Sequence, residues 1–393
     1  MSSALMSVYR PADVAFERGE GVYLYDTEGR RYLDCNAGIA VSALGHAHPR
    51  LVAALTEQGG KLWHTSNLYR IPHQARLAER LAAASFADVC FFTNSGVEAM
   101  ECLIKAARKY HYDKGQPGRN RIIALEGAFH GRSMATISAA GQDKLTTGFA
   151  PLLPGFDHVP PGDLDALTAA ITYETAGILI EPVQGEGGIL PLETGYLQAV
   201  RDLCDRHGIL LLLDEIQCGM GRTGKLFAHE WAGIAPDILA AAKGIGGGFP
   251  LGACLATDNA ASGMTPGSHG TTYGGNPLAT AVGNAVLDEL LAPGFLDHVN
   301  EVATLLRDRL EKLAAARHNQ VELVRGRGLM MGVKLRGLEP RAVVAAALER
   351  GLLLAPAGDN VVRLLPPLII EAAHVEEAAT LLEATLDGLT GGD

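Results

Sequence analysis

Lys243 and Asp214 are the two residues whose surroundings best suit chemistry. Lys243 follows the apolar run Ile238-Leu-Ala-Ala-Ala242 and precedes the glycine-rich turn Gly244-Ile-Gly-Gly-Gly-Phe-Pro. Burial there would favour a neutral amine, the nucleophilic form that makes an imine with an aldehyde. A lysine that snorkels from a strand end is the plain alternative. Asp214 closes the run Ile209-Leu-Leu-Leu-Leu213. A buried carboxylate at that position can keep a pyridine nitrogen protonated and turn the ring into an electron sink; a helix cap, or a metal site shared with Glu215, is the alternative. In an open α/β sheet the carboxyl ends of the strands face one crevice, so this acid and this amine can meet there.

Other strings invite chemical readings. Asn94-Ser95-Gly96-Val97-Glu98 opens a helix after an apolar run, so its free N–H groups and helix dipole suit a phosphate, although Ser95 could equally be a plain N-cap. No Gly-Lys-Ser/Thr ending supports a nucleotide P-loop. Gly219-Met-Gly-Arg-Thr-Gly224 matches the dinucleotide fingerprint letter for letter and keeps a nicotinamide-dependent dehydrogenase as an alternative. Asp214 and Glu215 stand in front of it, where they would repel a pyrophosphate, so we read it as a decoy. Arg132 and Arg363 could fork onto the carboxylates of a dicarboxylic substrate, with surface ion pairing as the alternative. His46 and His48 lack further ligands at metal spacing, and no Gly-x-Ser-x-Gly elbow is present.

Positioning these groups calls for a βαβ rhythm. Apolar runs predict strands over 88–93, 121–125, 177–180, 209–213, 238–242 and 253–257. Three- and four-residue spacing predicts helices over 49–58, 71–84, 96–110, 195–207 and 277–291. The fold expected is α/β: a mostly parallel sheet with helices on both faces. Residues 21–34 read as a small hairpin. Beyond Pro293 come helices over 298–316, 340–350 and 372–386, with strands within 321–336. A chain of 393 residues is long enough for two cores. The division expected is 1–45 as the N-terminal part of a small domain, 46–292 as the large cofactor-binding domain, and 293–393 as the rest of the small one.

The formal charge of -11 and the lack of a basic stripe argue against nucleic acid and anionic membranes as partners. No apolar run approaches a bilayer span and no signal peptide is evident, so a cytoplasmic location is expected. Six scattered cysteines, with no CxxC pair, read as reduced thiols, and no metal site is expected.

Taken together the sequence resembles the class III (ω-amino) pyridoxal-phosphate aminotransferases, most closely those that act on acetylornithine. The strings that carry the likeness include residues 37–49 and 62–69, Ala128-Phe-His-Gly-Arg132, Glu181-Pro-Val-Gln-Gly-Glu-Gly-Gly188, Asp214-Glu-Ile-Gln217, Lys243-Gly and His269-Gly-Thr-Thr-Tyr-Gly-Gly-Asn-Pro277. The resemblance implies pyridoxal-phosphate fold type I and a homodimer with shared active sites. It implies that Lys243 carries the cofactor covalently and shuttles the proton, and that Asp214 pairs with the pyridine nitrogen. Ile216 and Phe129 would take the ring faces and Gln217 the ring hydroxyl. Ser95, Gly96 and Val97 would hold the phosphate with Thr272 of the second subunit, and Glu215 is counted among the cofactor contacts. Arg132 and Thr271 resemble acetylornithine-contacting positions. Arg363 resembles the one that takes the α-carboxylate of glutamate, and Glu186 its partner when an ω-amine is bound. The reaction implied moves the ω-amino group of N2-acetyl-L-ornithine to 2-oxoglutarate in arginine biosynthesis. N-succinyl-LL-diaminopimelate, succinylornithine, ornithine and 4-aminobutyrate are alternative donors. Val97 departs from the family's more usual threonine, which removes a hydroxyl worth about 1 kcal/mol as a net hydrogen bond.

Overall fold

The four leucines of Leu210–Asp214 are buried on both faces, which is possible only for a strand covered on both sides. In the computed structural model, which describes residues 4–389, this strand is the centre of a seven-stranded sheet. Its order is Val89–Thr93, Gly252–Ala256, Ile238–Ala241, Leu210–Asp214, Thr175–Ile180, Arg121–Leu125, Phe156–Val159. Only Gly252–Ala256 runs against its neighbours. The other pairs are parallel, so the predicted α/β architecture is found.

The predicted helices form at Pro49–Gly59, Pro72–Ala83, Gly96–Asp113, Thr194–His207 and Pro277–Leu290. Sequence reading passed over the edge strand Phe156–Val159 and the short helices Met134–Ala140 and Leu164–Ala170. The edge strand's polar centre explains the omission: Arg121 on the adjacent strand donates to Asp157 from both Nε (2.8 Å) and Nη2 (2.5 Å).

Register fixes the site. Asp214 lies opposite Ala240, three residues ahead of Lys243, and Leu213 lies opposite Ile180. The next residues of those last two strands, Asp214 and Glu181, therefore leave the sheet side by side.

Residues from both ends of the chain share a four-stranded sheet. Phe16–Glu20, Tyr23–Asp26 and Arg31–Asp34 pair antiparallel, and Leu352–Leu353 adds in parallel with Leu33 opposite Leu352. Tyr23 Oη donates to Glu377 at 2.6 Å and tethers the helix Ala372–Gly388 to this sheet. A second four-stranded sheet, all antiparallel, runs Val321–Arg327, Met330–Leu335, Val361–Leu364, Ala355–Ala357, and it carries Arg363 opposite Gly332. Among the described residues no helix is long and apolar enough to cross a membrane, and no group of three or more potential ligands could hold a metal ion.

Candidate active site

A cavity of about 330 Å³ opens at the carboxyl ends of the parallel strands, and both Lys243 and Asp214 line it. Ser95, Gly96, Val97, Phe129, His130, Glu181, Ile216 and Gln217 contribute to the same wall. Most of the residues singled out from the sequence are thus brought together by strand ends and the loops that follow them.

Asp214 is 4 % exposed. Its Oδ2 bonds His130 Nδ1 at 2.8 Å, and its Oδ1 accepts from the Ile216 amide at 3.1 Å. Burial alone would discharge the His130 imidazole, but the bond and the charge of Asp214 outweigh it and raise the pKa above the ordinary value. The other ring nitrogen of His130, Nε2, is buried without a partner. Glu181 is pushed up to about 7, first by burial and also by the charge of Asp214; the charge of His130 and bonds from the Phe129 and Gly185 amides oppose the rise. Neither His130 nor Glu181 was given a role from sequence. The available signal was that each, like Asp214, is a polar residue just beyond one of three adjacent parallel strands.

Lys243 starts a turn in the left-handed region, with φ at 51°. That conformation is uncommon for a residue with a side chain and is typically kept where a site requires it. Burial lowers its pKa, with Arg363 assisting and Glu186, Asp214 and Glu181 opposing.

Ser95 caps the helix Gly96–Asp113 by accepting from the Glu98 amide, which leaves the Gly96 and Val97 amides in the first turn without an intrahelical acceptor. A Cβ at 96 would come within 2.9 Å of Ile216 Cδ1, so Ile216 packs directly against this glycine. At Gly131 a Cβ would meet Val97 Cγ2 at 2.9 Å. The cavity is therefore a cradle with an anion-binding turn, an amine and a buried acid, flanked by Phe129 and Ile216. That donor set fits a pyridine ring bearing an aldehyde and a phosphate.

Glu215 requires a correction. Side chains alternate along an extended chain, and the Glu215 carboxylate turns away from the cavity. It accepts from the Ala228 and His229 amides and pairs with His229 Nδ1 at 2.8 Å. It braces the segment behind the site and does not line it.

Arg363 is 2 % exposed and lies beside the cavity. Its guanidinium pairs with Glu186 through both Nη atoms and donates to Gln217 Oε1 (3.2 Å) and to Pro356 O (3.0 Å). Arg132 is exposed, with its guanidinium 5.6 Å from the Phe129 ring centre. Thr271 and Thr272 line a different cleft with Glu98, Glu101 and Lys105. Their segment is held there by Lys105, which bonds Ser268 O and His269, and by Asn67, which bonds Thr271 O and Gly274 O. Within the single chain these two threonines are not brought to the cavity of Lys243.

Comparison with known proteins gives a consistent pattern. The family described as "Aminotransferase class-III" matches residues 6–386. An acetylornithine aminotransferase of Rhodobacter capsulatus is 58% identical over 389 residues, covering 99% of both chains. Among solved structures, an N-acetylornithine aminotransferase from Stenotrophomonas maltophilia K279a superposes with a TM-score of 0.86 at 40% identity, covering 98% of each chain. An ornithine aminotransferase from Toxoplasma gondii, with partial occupancy of PLP at its active site, superposes with a TM-score of 0.94 at 31% identity, covering 98% of this chain and 93% of its own.

Proposed function

The chain belongs to the class III aminotransferases, which use pyridoxal phosphate, and from that membership we propose that it moves the distal amino group of N2-acetyl-L-ornithine to 2-oxoglutarate. The products are N-acetyl-L-glutamate 5-semialdehyde and L-glutamate, a step of arginine biosynthesis. The observation that carries this reading is the 58% identity, along essentially the whole length, to an acetylornithine aminotransferase.

When bound, pyridoxal phosphate supplies an aldehyde that amines can attack and a ring that accepts an electron pair. In this reading Lys243 Nζ, whose pKa burial lowers, would be the attachment point. Once the donor's amine has taken its place, the freed Nζ would take the proton from the donor carbon that bears nitrogen. Asp214 would hold a proton on the ring nitrogen. His130 Nδ1, bonded to Asp214 Oδ2, fixes the orientation of that carboxylate. Phe129 and Ile216 take the ring faces, Gln217 the ring hydroxyl, and Ser95 with the Gly96 and Val97 amides the phosphate.

For the substrates, Arg132 and Thr271 take the acylated end of the donor, and Arg363 takes the α-carboxylate of glutamate and of 2-oxoglutarate. Glu186 occupies Arg363 when the donor presents an ω-amine instead. The pair between Glu186 and Arg363 supports this assignment.

The reading includes a homodimer, with Thr272 of the partner subunit completing the phosphate site, and a cytoplasmic setting. Support for the dimer comes from an exposed apolar group: Leu62, Trp63, Leu68, Tyr69 and Tyr273 all face solvent in the single chain. Asn67 ties this stretch to Thr271 and Gly274. A surface of this kind is usually covered.

The test is kcat/KM across donors. N2-acetylornithine should exceed ornithine and 4-aminobutyrate by at least tenfold, with succinylornithine and N-succinyl-LL-diaminopimelate as the acylated rivals. A clear preference for free ornithine would overturn the donor assignment and leave the family assignment standing.

A further inference from the structure

The glycine-rich loop that mimics a dinucleotide fingerprint is used as a joint. Arg222 is buried and donates through Nη1 to Leu329 O and Pro366 O. A Cβ on Gly328 would run into the Thr223 backbone, and Asn300 Nδ2 donates to Gly224 O at 2.9 Å. The loop's glycines are taken up by packing within the protein: a Cβ on Gly224 would run into Asn300. Beside this joint, however, is a cleft of about 460 Å³ lined by Thr223, Trp231, Asn300, Thr304, Arg307 and Arg327 among others, and it shares no residue with the cavity of Lys243.

Its charge is unusual for this chain. The protein carries 33 Lys and Arg against 44 Asp and Glu, yet no residue lining the cleft is acidic. Two cations meet on one ring, and a third lines the cleft beside it. Lys225 Nζ and the Arg327 guanidinium carbon each lie 5.3 Å from the Trp231 ring centre, and Arg307 lines the same cleft. Arg307 has one acid, Glu311, at 3.6 Å, and that carboxylate is largely exposed. Arg327 has no ion pair among the described residues. Burial lowers its pKa and the charge of Arg307 adds to the effect, against Glu193. Burial and the neighbouring guanidinium both disfavour the Arg327 charge, and a bound anion offsets that cost.

The walls are fixed independently of any ligand. Trp231 Nε1 donates to Thr223 O at 3.0 Å, and Arg307 Nη2 donates to Gly326 O at 2.7 Å. The Thr223 hydroxyl is buried and has no hydrogen-bond partner.

We propose that this cleft binds a compact dianion, carboxylate or phosphate, with Arg307 and Arg327 holding the charge and Trp231 providing a flat apolar wall. The inference is independent of the reaction assigned above. The cleft spans the loop after Gln217, the helix Phe295–Ala316 and the strand Val321–Arg327, whose sheet also bears Arg363. A bound dianion therefore clamps the joint between the Asp214 side of the molecule and the Arg363 side.

The test uses the holoenzyme. The chain has two tryptophans, so Trp63→Phe leaves Trp231 as the reporter. Glutarate and inorganic phosphate are titrated separately at ionic strength matched with chloride, and their relative midpoints show which anion chemistry the cleft prefers. Either should give a saturating change in Trp231 emission that weakens at least tenfold in the double variant Arg307→Gln/Arg327→Gln. It should persist in Arg363→Lys and weaken by a smaller factor in Lys225→Gln, whose side chain is exposed and tolerant. In the Arg363→Lys background the melting midpoint should rise with ligand concentration, and adding the double substitution should remove that rise. A response no greater than that of chloride, one that survives the double substitution, or one that vanishes in Arg363→Lys would overturn the proposal.

Discussion

Asp214 and Arg363 stand on two sides of the cofactor cavity, and their charges are secured in different ways. Asp214 ends a strand buried on both faces; its oxygens are engaged by His130 and by the Ile216 amide. Arg363 is equally buried, but its acid partner Glu186 sits in the loop between short strands and has a side chain 29% exposed. A carboxylate fixed inside a sheet presents the same field to every substrate. A carboxylate on a loop can yield its place to a substrate carboxylate. On the proposed reading, the chemistry belongs to the strand-end side and substrate choice to the loop side.

The largest expected effect breaks the fixed side. Asp214→Asn keeps the shape but removes the charge, and should lower kcat for both half-reactions by roughly 10²–10³ with little change in KM, as loss of a preorganised electrostatic contact does. Comparable loss in KM alone would place Asp214 in binding. On the exchangeable side, Glu186→Gln should change kcat by less than it changes selectivity. The KM for 2-oxoglutarate should fall by about fivefold to tenfold, the equivalent of about 1–1.4 kcal/mol, because Arg363 no longer has to be released from a charged partner.

Glu181 sharpens the comparison through pH. Its pKa in the fold is raised to about 7 from an ordinary 4.5, so between those values the native state binds a proton that the unfolded chain does not. The stability it contributes is full below about pH 4.5 and is lost as pH rises through about 7. Thermal midpoints of the cofactor-free protein should therefore carry a downward slope across that window, flattened in Glu181→Gln. The smallest effect expected is at the phosphate turn: Val97→Thr should tighten cofactor binding by about 1 kcal/mol, near fivefold in Kd, measured by cofactor titration.

The sequence carries the central sheet because apolar runs with abrupt polar ends are strong signals. Leu210–Asp214 and Ile238–Ala241 are nearly all aliphatic, and Asp214 and Lys243 stand out against them. Phe156–Val159 is harder to read, since an edge strand needs only one covered side and here holds Asp157 and His158. The roles of His130 and Glu181 depend on which strands are neighbours, and strand order is not written in any one segment. Glu215 shows a different limit. Adjacent residues on an extended chain point to opposite sides, so of two consecutive carboxylates only one can face the cavity. The motif itself does not say which. Gly219–Gly224 shows that a glycine spacing specifies close approach and leaves open whether the approaching group is a ligand or, as here, Leu368 and Asn300 packing within the protein.

The most direct test of the account is borohydride reduction of the yellow holoenzyme followed by peptide mass mapping. The account predicts one phosphopyridoxyl group per chain, on the peptide that contains Lys243, and none in Lys243→Ala. A label on another lysine, or a protein that binds no pyridoxal phosphate, would contradict it.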